Sequence, residues 1–224
     1  MPLAASAMVA SVCAVAAALL YCFYRHGGAA MAKYVALALA GWLAITGWLA
    51  WSGTLAFGAL PPPVMVLVTV AIGLTTWLGL SRYGTLLVER AGLGFLIGFQ
   101  VFRVLVEIAL WLGHREGFVP VQMTWEGRNL DVLTGLTAPL AAHYAQAGKL
   151  PRVAILVWNI AGLALLVNIV LVAILSMPTP LRVFMNEPAN RFVATWPHVW
   201  LPVFLVPAAW LGHLLVFRWL RRNA

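Results

Sequence analysis

The chain has 224 residues, of which 63% are hydrophobic and 9% are charged. Soluble domains carry about a quarter charged residues, so the 20 acidic and basic side chains here could not cover a water-exposed surface; disorder, collagen and disulfide scaffolds are excluded by the same composition. Net charge is +8, but the basic residues lie at the ends of apolar runs, so they read as membrane orientation signals and not as a nucleic-acid footprint.

A spanning helix needs about 20 mostly apolar residues. The sequence predicts an all-α polytopic membrane protein, a single domain over 1–224 with spans at 3–24, 34–52, 63–80, 91–113, 130–147, 152–175 and 198–218. The first stretch has no basic residue before its apolar run, the reverse of a secretory signal, and reads as a retained helix. Alternation of sides then places Arg25, Lys33, Arg82, Arg90, Lys149, Arg152, Arg218, Arg221 and Arg222 on one face. Arg115, Arg128, Arg182 and Arg191 fall on the other. That asymmetry predicts an outside N-terminus and a cytoplasmic C-terminus, in a membrane expected to be a bacterial inner membrane. Two long outer links, 114–129 and 176–197, are expected to cap the bundle. Cys13 and Cys22 share one span and read as small packing residues.

The second and third spans carry Gly and Thr but no charge, which suits close helix packing. The fourth span differs. On a helical wheel, Gln100, Arg103, Glu107, Trp111 and His114 fall in a stripe about 80° wide. Charges at that depth must face the bundle interior or a polar cavity. Arg103 and Glu107 are four residues apart and are expected to pair. Asn129 is placed to cap the fifth helix, with Asp131 in its first turn. Glu107, His114, Asp131, His198, Glu126, Arg128, Glu187, Asn190 and Arg191 all fall toward the outer side. A second polar group, His143, Asn159 and His213, falls toward the inner side.

This distribution supports three readings. The first is a membrane-embedded enzyme acting on a lipid or lipid-like molecule through an outward-opening polar site. Glu107, Asp131 and His114 would be its acid–base groups and Arg103 an anion clamp. The same layer offers a divalent metal site from His114, His198, Glu107 and Asp131, whose ligand types suit zinc or iron, although the sequence has no HExxH-like element. The second is a ligand- or cofactor-binding accessory subunit of a membrane complex. Haem is the weaker cofactor expectation, because the four histidines of the two polar levels do not come from two shared helices. The third is a small-solute or ion transporter, which requires the outer and inner polar groups to connect. Membrane lipids, and for the second reading another membrane subunit, are the expected partners. Seven spans with an outside N-terminus resemble microbial rhodopsins in topology alone; the last span has no lysine to carry a Schiff base.

Overall fold

A computed structural model of the protein describes residues 1–223. It is all-α, with no strand among the described residues. The helices are α1 (Leu3–Trp51), α2 (Pro63–Leu80), α3 (Arg82–Gly98), α4 (Phe102–Arg115), α5 (Val132–Gln146), α6 (Arg152–Leu175) and α7 (Val206–Arg222). Five helical stretches are long and apolar enough to cross a membrane: α1, α2, the continuous run 82–115, α6, and 201–222.

The expected first two spans lie within α1. Its helical path breaks at Gly28, where φ is 80° and ψ is 174°. That region of backbone space suits glycine because a side chain there would clash with the chain itself. The first limb buries Ala4, Ala5, Met8, Ser11, Val12 and Val15, a helical spacing that lays one stripe along α4. The second limb is fastened by two indoles: Trp42 Nε1 donates to the Val203 carbonyl at 3.0 Å, and Trp200 Nε1 donates to the Leu43 carbonyl at 3.0 Å.

A second break, at Gly92 (φ 74°), divides α3. Residues 82–91 form a short rod ahead of the apolar run expected from 91 onward. Ser81 Oγ caps it by accepting from Tyr83 N. The chain passes into α4 through a 3₁₀ turn, Phe99–Val101. Helix α5 has 15 residues, about 22 Å of rise, and stays continuous through Pro139. Before α7 the proline-bearing segment Leu201–Leu205 winds as a π-helix. Pro202 cannot donate an N–H, and such wide turns accommodate the missing bond.

The two long links interlock. Gln122 Nε2 donates to Ser176 Oγ at 2.8 Å and Asn186 Nδ2 donates to Gln122 Oε1 at 2.7 Å, while Asn190 Nδ2 ties the second link back to α6 through the Ala173 carbonyl at 2.9 Å. Each link also carries the same local motif. A 3₁₀ turn (Val121–Met123, Phe192–Ala194) is followed by Thr-Trp. The hydroxyl of that threonine donates three residues back, Thr124 to Val121 at 2.9 Å and Thr195 to Phe192 at 2.7 Å. The sequence shows no long repeat, and this short one is visible only once the turns are folded.

Candidate functional site

Arg103, Glu107, Asn129, Asp131, Asn159 and His213 form one connected buried network that joins α4, the turn before α5, α6 and α7. Arg103 projects from α4 and is 2% exposed. Its Nε donates to Asp131 Oδ2 at 2.6 Å, and its Nη2 contacts Asp131 Oδ1, a two-pronged ion pair. Nη2 also donates to the Gly162 carbonyl at 3.2 Å, and Nη1 donates to His213 Nε2 at 2.9 Å. Because Nε2 accepts from a guanidinium, His213 must carry its proton on Nδ1. That nitrogen lies 2.8 Å from Asn159 Oδ1, while Asn159 Nδ2 donates to the His213 carbonyl at 3.1 Å.

This pairing corrects the expected Arg103–Glu107 partnership. Both side chains face protein, as the wheel requires, with Glu107 1% exposed. Glu107 is instead held by Asn129, whose Nδ2 donates to both carboxyl oxygens at 2.7 Å and to the Met123 carbonyl at 3.0 Å. Asn129 Oδ1 accepts from Asp131 N at 3.0 Å, an Asx turn that leads the chain into α5. Asp131 therefore precedes the first turn of α5, with its carboxylate turned to Arg103 and no side-chain cap bond. A local i, i+4 pair yields here to a partner from another element that presents both of its oxygens.

The close approach of α6 and α7 that brings His213 to Asn159 depends on Gly162. A Cβ at that position would lie 2.8 Å from His213 Cε1 and 2.9 Å from Thr134 Cγ2. The Gly162 carbonyl is also one of the acceptors that hold Arg103. Gln100, fully buried one turn before Arg103, donates to the Ala209 carbonyl at 3.0 Å.

The other expected residues lie elsewhere. His114 is half-buried, and its Nδ1 donates to the Val119 carbonyl at 3.0 Å, tying α4 to the following loop. His198 packs against Phe118 and Phe192, and its Nε2 is buried without a hydrogen-bond partner. No three His, Cys, Asp or Glu residues come together as a metal-binding group among the described residues. The tetrad His114, His198, Glu107 and Asp131 is therefore not assembled. Both ring nitrogens of His213 are engaged, which leaves neither free for a haem iron. His143 is exposed on the flank of α5 and lies outside the network. Arg103 nevertheless links one residue from each of the two polar groups of the sequence, because it touches Asp131 and His213 at once.

A cavity of about 150 Å³ adjoins this network. Its walls come from α2 (Met65, Val68, Thr69), α4 (Val106, Glu107, Leu110) and α6 (Leu166, Ile169, Val170, Ala173, Ile174). Buried Met123, Met177 and Val193 from the two links close its cap end. The rim lies on the flank, where Thr69 is exposed and Val170 and Ile174 are half-buried. Helices α2 and α6 each pack on α7, and the opening lies in the seam between them. Gln122 and Asn186 tie the two links together beside that cap end. On this apolar surface the polar side chains are Thr69, Glu107 and Asp131.

A family model described as Domain of unknown function (DUF8737) matches residues 60–221. The chain belongs to that family. The matched segment runs from the turn before α2 into α7 and contains every member of the buried network, from Arg103 to His213. Neither a curated protein nor a solved structure matches the chain.

Proposed function

We propose that this member of the DUF8737 family binds a lipid or lipid-like small molecule that enters from the bilayer through the α2–α6 seam and places its polar end against Glu107. One observation carries the reading: a buried carboxyl group forms part of the wall of an apolar cavity whose rim is on the helical flank. An apolar chain in such a cavity leaves water or lipid at little cost, and a few fixed polar groups orient its head. Seven passes are the corresponding topology, with α1 counted twice about Gly28 and α5 crossing as well. The basic residues favour an outside N-terminus, a cytoplasmic C-terminus and a bacterial inner membrane as the setting.

The test is native mass spectrometry of protein extracted in mild detergent, with Ala173→Trp as the comparison, because Ala173 lines the cavity and is half-buried. The expected result is a fixed excess mass on the wild-type chain that is lost in the variant. A bare chain in both, with no extractable lipid, refutes the reading.

A second reading, a membrane enzyme on the same ligand class, is favoured by the placement of two carboxyl groups, Glu107 and Asp131, in one dry wall. There Glu107 would accept or donate the proton, and Arg103 would act as a positioning residue through Asp131. Incubation with total membrane lipid should then convert one lipid species with wild-type protein and none with Glu107→Gln. No change in any species over wild-type protein leaves binding alone.

A further inference from the structure

None of the polar side chains of the cavity wall, Thr69, Glu107 and Asp131, carries an N–H donor. Asp131 is engaged by Arg103 through both oxygens, as an ionised carboxylate is. Thr69 Oγ1 spends its proton on the Met65 carbonyl at 2.9 Å, which leaves only lone pairs toward the cavity. Both oxygens of Glu107 accept from Asn129 Nδ2. Charge adds a second argument. The buried acidic and basic side chains are Arg103, Glu107, Asp131, His198 and His213. His213 is neutral because one ring nitrogen accepts from Arg103, and His198 Nε2 has no partner to hold a proton. One guanidinium therefore faces two carboxyl groups. Asp131 is neutralised, and Glu107 has a hydrogen-bond donor but no counter-ion.

We infer that the ligand of this cavity is an amphiphile with a protonated amine head, which supplies the N–H donors and the positive charge that the Glu107 wall lacks. The inference rests on the lipid-pocket reading above and adds the chemistry of the head group. The cavity volume is that of an engineered site that holds benzene. It therefore accommodates an ammonium head and its first few methylenes, with the rest of the chain leaving through the seam past Thr69 and Ile174. A buried carboxylate paired with such a head is no longer an isolated charge, which is the condition under which it tolerates low dielectric.

The test is equilibrium binding of radiolabelled dodecylamine to the full chain in neutral-lipid nanodiscs, with empty nanodiscs subtracted. Dodecanol and dodecanoate serve as matched-chain comparisons. The expected result is saturable binding of the amine at least tenfold tighter than the alcohol or the acid, reduced at least tenfold in Glu107→Gln and unchanged in Glu126→Gln. Equal binding of all three amphiphiles, or preference for the acid, overturns the amine head and leaves the lipid pocket standing. No saturable binding of any of them overturns both. Should Glu107→Gln fail to fold, the order of the three amphiphiles on wild-type protein decides the matter alone.

Discussion

Arg103 makes four hydrogen bonds: two to Asp131, one to the Gly162 carbonyl and one to His213. Replacing Asp131 with Leu leaves the guanidinium buried with two of those bonds and no hydrogen-bonded carboxylate. Breaking a buried pair from one side costs about 3–5 kcal/mol. Arg103→Met should cost more, because the Gly162 carbonyl and His213 Nε2 lose their donors as well, at about 1–3 kcal/mol for each orphaned acceptor. In the double variant neither member of the Arg103–Asp131 pair is left without the other, so it should be less destabilised than the sum of the singles by about 3–5 kcal/mol. Unfolding in mixed micelles, followed by far-UV circular dichroism across a denaturant series, gives the three differences. In a thermal scan Asp131→Leu should lower Tm by about 6–20 °C, taking about 2–4 °C per kcal/mol for a chain of this size. Single variants that add within about 0.5 kcal/mol would refute the pairing, as would an Asp131→Leu protein that melts with the wild type.

Gly162→Ala should destabilise by about 1–3 kcal/mol, because its Cβ must push aside His213 or Thr134; the same denaturant series measures it, and an unchanged midpoint contradicts the close approach. Glu187 in the second link is held below the usual carboxylate range by Arg182 first and by the Ala189 N–H second. A depressed folded pKa stabilises above the unfolded value and is lost as pH falls through the folded one. Limited proteolysis within 176–197 should therefore be flat from neutral pH to pH ~5 and rise only below ~4; a rise beginning near neutrality argues against the anchor. For the seven-pass topology, cysteines introduced singly at Gly28 and Asn223 into a Cys13→Ser/Cys22→Ser background should react with an impermeant thiol reagent from the cytoplasmic side. Those at Gly58 and Gly117 should react from the other side. Gly28 and Gly117 labelling from one side breaks the alternation.

Helical periodicity was enough to place Arg103 and Glu107 toward protein, because a charge at that depth has one tolerable direction. It could not choose their partners. The i, i+4 rule describes a helix alone, whereas Asp131 lies 28 residues on and arrives through the Asn129 turn. His213 lies 110 residues from Arg103, and no local pattern encodes that distance. Depth in the sequence groups His143 with His213, but depth along the chain does not set which flank of α5 a side chain takes. The 82–91 rod was legible only through Gly92, a single breaker inside an otherwise acceptable helical run. The Thr-Trp turns of the two links escaped because two shared residues lie far below the length at which a repeat stands out.

The brevity of α5 has a consequence for the surrounding membrane. Next to it, α6 has 24 residues, about 36 Å of rise against about 22 Å, and a hydrocarbon core is about 30 Å thick. Leu133, Leu136, Leu140 and Tyr144 are exposed along α5, so with α5 as a pass its flank would meet acyl chains directly. With α5 as a pass, two adjacent helices ask for different bilayer thicknesses, and the hydrophobic mismatch falls on the lipids beside α5. Those lipids must compress or carry shorter chains. The protein should then be more stable in short-chain than in long-chain phosphatidylcholine, and in a mixed membrane it should gather the short chains around one side of itself.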